Sequence, residues 1–233
     1  MNITVNMISG AVFYLSLVIL VIGLAIKVIT LYKADPSLSS GVYPKPPQCK
    51  RIYLIARDIF TCPGLWEIHP FLWLVVMFFH LALFGIIIGH LHLIGRFPGI
   101  LEILMTSSAA DALVLTLGLL GTGAILVFLF RRMTDPLRYT SHFRDYLLLL
   151  LILGAFVSGE VLRINSVSLA FIPESVRNIL ALQPVSPEIL KGSAASWLLP
   201  LHLLLVSFLL IYLPFSNLVH MFSSLLTNRL KRV

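Results

Sequence analysis

The amino-acid sequence predicts an all-α integral membrane protein of five transmembrane helices, with its N terminus outside and its C terminus in the cytoplasm. Three observations carry that expectation. Of the 233 residues, 58% are hydrophobic and only 12% charged, with a mean hydropathy of +0.97, whereas a soluble domain carries roughly a quarter charged residues. Five apolar runs, about 8–29, 71–94, 110–130, 146–163 and 197–221, match the roughly 20 residues that a helix needs to cross the hydrocarbon core. Lys and Arg, finally, alternate in density between the two sides those runs would define.

The first run has no positive residue before it and is longer than a signal-peptide core, which predicts a helix retained in the mature protein. It leads into a Lys-rich connection, Lys33 to Pro70, whose Tyr43-Pro-Lys-Pro-Pro47 stretch cannot continue a helix and reads as an extended surface strap. The third and fourth runs are joined by a short basic loop, Arg131 to Arg144. Between the fourth and fifth, the stretch from Arg163 to Ser196 contains Pro173, Pro184 and Pro187, with a short interfacial helix expected at Glu174 to Leu182. No internal repeat is visible, and the apolar runs leave no room for a separate soluble domain, so residues 1–233 read as one membrane domain.

Thirteen Lys and Arg residues fall on one side of this topology, in Lys27 to Arg57, Arg131 to Arg144 and the tail Arg229, Lys231 and Arg232. Four fall on the other: Arg96, Arg163, Arg177 and Lys191. The positive-inside rule places the richer side, and the C terminus, in the cytoplasm. The expected location is the plasma membrane, with lipid as the surrounding partner. The same asymmetry accounts for the net charge of +7, so no nucleic-acid partner is implied. The two cysteines, Cys49 and Cys62, form no disulfide framework, and without a C-x-x-C-H motif covalent c-type haem is excluded.

Polar side chains are costly inside a bilayer, so an intramembrane histidine is a functional candidate, with packing against a neighbouring helix as its bland alternative. Here there are four at matching depths: His80 and His90 on the second helix, His202 and His220 on the fifth. The second helix runs inside to outside and the fifth runs back, which pairs His80 with His220 on the inner side and His90 with His202 on the outer. Imidazoles in such pairs suit the axial positions of two b-type haems, and a bis-histidine site is closed to oxygen and fitted to electron transfer. Ten residues rise roughly 15 Å and eighteen roughly 27 Å, so tilted helices or a bend at Pro214 are needed to satisfy both pairs. Eighteen residues is also five turns, which puts His202 and His220 on one face of an unbroken helix.

Gly85 and Gly89 let a bulky ring or another backbone come close, and are read as haem clearance in preference to helix packing. His92 competes with His90, two residues away and nearly opposite around the helix. His69 and His142 read as interfacial or surface residues. Cys49, Cys62 and His69 match no common structural metal site.

The H-x9-H pattern of His80 and His90, with Leu201-His202 and Leu213-Pro-Phe-Ser-Asn-Leu-Val-His220, resembles the gamma subunit of respiratory nitrate reductase. Its relatives include the cytochrome b subunit of the sulfite-reduction-associated membrane complex (DsrM type) and the membrane subunit of methanogen heterodisulfide reductase. The resemblance covers all five helices. It implies two haem b groups, the inner one nearest a cytoplasmic iron–sulfur subunit and the outer one nearest a quinone site. It also implies further membrane or extracytoplasmic redox subunits. Nitrate reductase proper carries a lysine implicated in quinol binding where this chain has Ala110 and Asp111, and a longer cytoplasmic tail. The stretch Asp145-Tyr-Leu-Leu-Leu-Leu-Leu151, Ser158-Gly159, Arg163 and the loop Leu182-Gln-Pro-Val185 look more like the DsrM or heterodisulfide reductase type. Menaquinol oxidation is then the one chemistry expected in this chain. Glu160, Asp111, His92 and Arg96 are the candidate proton-handling residues on the outer side, unless Glu160 and Arg163 merely pair with each other. The reading from another class is a haem-free membrane anchor or transporter.

Overall fold

The structure is a computed structural model that describes residues 3–33, 53, 57, 61–94, 108–165, 171–183 and 195–216. Within them run helices α1 (Ile3–Lys33), α2 (Pro63–Ile68), α3 (Pro70–Ile94), α4 (Ser108–Met133), α5 (Leu137–Thr140), α6 (Phe143–Asn165), α7 (Phe171–Leu180) and α8 (Ala195–Tyr212), the last passing into a 3-10 turn, Leu213–Phe215. The described residues contain no strand. Five helices (α1, α3, α4, α6 and α8) are long and apolar enough to cross a membrane, and the protein is a multi-pass membrane protein. Lipid offers the backbone no hydrogen-bond partners, so helices, which satisfy their own, are what such runs form. Val21, Ile26, Phe71 and Phe130 point outward and are exposed, as an apolar solvent asks. The short helix expected over Glu174 to Leu182 is α7.

Successive spanning helices pack as neighbours in the order α3, α4, α6, α8, α1, and α7 touches both α1 and α3. Small residues set how closely they approach, as is usual where no hydrophobic force drives helices together in lipid. Ser9, Ser16 and Gly23 recur every seven residues along α1, the repeat that keeps one seam facing a neighbour. Both serines are buried, and a Cβ on Gly23 would lie 2.6 Å from Pro214 Cβ. A Cβ on Gly85 of α3 would lie 2.6 Å from Leu117 of α4, and Gly121 of α4 receives the ring of Phe156 of α6. Phe79 stands at the centre of the resulting core with Phe128 and Phe156, at ring separations of 5.7 and 6.3 Å.

The ends of the bundle differ. At the lower end, where α4 turns into α6, Arg132 meets Asp145 at 3.1 Å, the Tyr146 hydroxyl donates to Arg132 O at 2.6 Å, and Tyr212 donates to Arg144 O at 3.2 Å. Trp66 and Trp73 pack edge to face at this end, 4.9 Å apart, as aromatic residues do at a membrane interface. At the upper end α7 lies over the bundle. Its Ile179 is buried against Leu162 of α6 and Leu198 and Leu199 of α8, and Tyr14 of α1 donates to Leu180 O at 2.5 Å.

The fifth span is described only as far as Ser216, so the expected end at 221 lies outside the described residues, and its α-helix is interrupted at Pro214. Pro214 has no N–H to give the preceding turn and its ring crowds the carbonyl four residues back, so α8 stops at Tyr212 and Ser216 is already extended. Lys27 Nζ donates to Ser216 O at 3.0 Å and Pro214 O at 3.4 Å, which satisfies carbonyls that the broken helix exposes. The helix is therefore broken at Pro214, while His220 lies outside the described residues.

Candidate functional site

Three of the four expected ligands lie among the described residues, and each has its ring fixed through one nitrogen. On α3, His80 Nδ1 meets Val76 O at 2.8 Å and His90 Nδ1 meets Ile86 O at 2.7 Å. A carbonyl only accepts, so Nδ1 carries the proton and Nε2 the lone pair in both rings. On α8, His202 Nδ1 lies 2.9 Å from the Ser158 hydroxyl. That hydroxyl donates to Ala155 O at 3.1 Å and so accepts from His202. The same tautomer follows for all three histidines. Fixing one ring nitrogen to leave the other as a metal donor is the usual arrangement around ligating histidines.

His90 and His202 come together from α3 and α8, helices whose backbones hardly approach one another among the described residues. Their ring centres are 6.2 Å apart with planes 18° from parallel. The described residues hold no group of three or more His, Cys, Asp or Glu suited to a metal ion. A pair alone would leave zinc short of ligands, whereas a porphyrin supplies four of its own and asks the protein only for the axial two. The donor set therefore fits a haem. His80, ten residues down α3, has Phe79 and Phe84 beside its ring, at 5.4 and 6.4 Å. Its expected partner His220 lies outside the described residues.

Gly85 brings α3 close to Leu117 of α4, where a Cβ would lie 2.6 Å from Cδ1, while a Cβ on Gly89 would make only ordinary contact with Val114. The glycine that makes room for a histidine is Gly159, where a Cβ would sit 3.1 Å from His202 Cε1. In the sequence, Ser158 and Gly159 stand out only by family resemblance. What sequence reasoning missed is their place beside His202, which depends on how α6 is rotated against α8.

The acidic candidates lie together on the other side of α6. Thr122 Oγ1 donates to Glu160 Oε1 at 2.9 Å, and Gly118 leaves space for that carboxylate. Arg163 forms an ion pair with Asp111 of α4, not with Glu160 as the bland alternative had it. Arg96 and the side chain of His92 lie outside the description. His69 and His142 are exposed, as expected.

The fold and site define a five-span helical membrane bundle that brings His90 of α3 and His202 of α8 together. Residues 65–230 match the nitrate reductase gamma subunit family, and the chain belongs to that family. It is also 30% identical over 157 residues to a protein of Archaeoglobus profundus described as an Hdr-like menaquinol oxidoreductase cytochrome b-like subunit, a match covering 64% of this chain and 46% of the relative. The chain thus spans about half the length of that curated relative.

Proposed function

We propose that this chain is the cytochrome b-like subunit of a menaquinol oxidoreductase complex in the plasma membrane, with two b-type haems held by His90 with His202 and by His80 with His220. The observation that carries the reading is the His90–His202 pair, brought across two helices with each Nδ1 engaged in a hydrogen bond. Family membership and the relative's name support it. When bound, each haem supplies a one-electron carrier closed to oxygen by its two imidazoles.

This chain's residues do the remainder. Val76 O, Ile86 O and the Ser158 hydroxyl hold the ligand tautomers, while Phe79 and Phe84 pack beside the His80 ring. The upper end faces outside, and quinol oxidation there releases protons. Asp111 already carries the Arg163 guanidinium, whereas Glu160 is held by a hydroxyl, and Glu160 is assigned the acceptor role; His92 and Arg96 are the further candidates on the outer side. The lower end faces a cytoplasmic iron–sulfur subunit, for which exposed Arg131, Arg138 and Arg144 provide a cationic landing surface. Within the family the heterodisulfide-reductase-like kind is favoured by the Archaeoglobus relative; the DsrM type shares the same histidine pattern.

A reduced-minus-oxidised visible spectrum of the purified protein tests this. Two b-type components are expected, with His90→Ala and His202→Ala each removing the same one. A spectrum without b-type bands would return the chain to the haem-free anchor or transporter reading. Unchanged quinol-driven haem reduction in Glu160→Gln would withdraw that residue's role alone.

A further inference from the structure

His202 is held differently from the histidines of α3. His80 and His90 each donate to a carbonyl one turn back on their own helix, so their ring orientations follow from that helix. The His202 ring is instead tied to a different helix, through a hydroxyl that is buried and committed at both of its ends. Ser158 donates to Ala155 O at 3.1 Å and accepts from His202 Nδ1 at 2.9 Å. A hydroxyl whose own proton is already donated is polarised into a better acceptor. Gly159, next in the chain, brings the α6 backbone against the other part of the ring, and leaves no space for a side chain there. The α6 helix thus fixes both the proton and the sweep of an imidazole that α8 carries.

We propose that Ser158 is a positioning residue for His202, and that it sets the reduction potential of the upper haem separately from the lower one. This inference rests on the haem reading above. The physical basis is that a ligating imidazole donating its second N–H becomes a stronger donor to the metal, and its orientation is fixed at the same time. Stronger donation favours the oxidised iron. Deleting the hydroxyl removes one of the ring's two hydrogen-bond partners on α6, Ala155 O remaining, and weakens that donation, so the upper potential rises. The lower site, with its own carbonyl on α3, is untouched.

The test uses the haem-loaded full chain in its complex. Potentiometric titration followed in the visible bands, with low-temperature electron paramagnetic resonance of the ferric haems, separates the two components. In Ser158→Ala one component is expected to move to higher potential and change its low-field resonance, while the other titrates as in the unaltered protein. Ser158→Thr, which keeps the hydroxyl, is expected to restore both signatures. Wild-type behaviour of both components in Ser158→Ala overturns the proposal, as does Ser158→Thr matching Ser158→Ala. Should Ser158→Ala lose the upper haem outright, recovery of that haem in Ser158→Thr supports the role and no recovery overturns it. Failure of the haem reading itself is distinct, since the unaltered protein would then show no b-type bands at all.

Discussion

The two faces of α6 carry opposite kinds of polar chemistry. Toward α8 it offers Ser158 and Gly159 to the His202 ring, a seam without a formal charge among these three groups. Toward α4 it offers Glu160 and Arg163, which meet Thr122 and Asp111. Residues 159 and 160 are adjacent in the chain but point about 100° apart on a helix, so a single step in sequence crosses from one seam to the other. One helix can thus hold a metal-ligand orientation on one side and acidic groups on the other. Each seam is then open to change without the other.

The largest effect expected is from glycines, because each seam is closed around one. Leucine at Gly121 would place its side chain where the Phe156 ring lies, and overpacking a helix interface costs typically 1–3 kcal/mol, more where the neighbour is a rigid ring. Gly121→Leu should therefore lower the yield of folded protein in the membrane and remove both haem components together. Gly159→Leu strikes the His202 ring instead and should remove one component while the protein still accumulates. Haem content per purified chain decides between these outcomes. If both variants lost both haems, the two faces of α6 would not be separable.

The histidine seam was half legible in the sequence. Four histidines at matching depths on antiparallel helices predict His90 opposite His202, since rise per residue and span direction are fixed by helix geometry and bilayer thickness. Helix rotation is not fixed that way. Ser16 and Ser207 are buried in membrane helices just as Ser158 is, and all three donate to carbonyls of their own helices. Nothing local distinguishes the serine that serves a ligand. Pro214 was legible as a kink, but the sequence pattern of apolar residues continues through it, so the end of α8 at Tyr212 was not.

A smaller effect belongs to Thr122. Replacing it with valine keeps the volume and the branched shape but withdraws the hydroxyl from Glu160. A hydrogen bond of this kind contributes about 1 kcal/mol, and leaving the carboxylate without this donor adds to the cost of the change. Thr122→Val should lower the thermal midpoint of the detergent-solubilised protein by a few degrees and leave both haem potentials in place. A shifted potential would mean that the acidic seam reaches the iron site after all.

The smallest effect is expected from the Asp111–Arg163 pair. Its side chains are 40% and 25% exposed, and ion pairs that solvent reaches contribute on the order of 0.5 kcal/mol. The pair sits in the first turn of α4 and the last of α6. There the acid also favours the positive end of its helix dipole and the cation the negative end of its own. Each charge therefore keeps part of its stabilisation when the other is removed. A double-mutant cycle with Asp111→Asn and Arg163→Gln, read by thermal unfolding, should return a coupling well under 1 kcal/mol that weakens further in high salt. A coupling several times larger would make this pair the clamp that closes the upper end of the acidic seam. The effects of Thr122→Val and of breaking the pair would then cease to be additive, because Glu160 lies within one turn of Arg163 on the same helix.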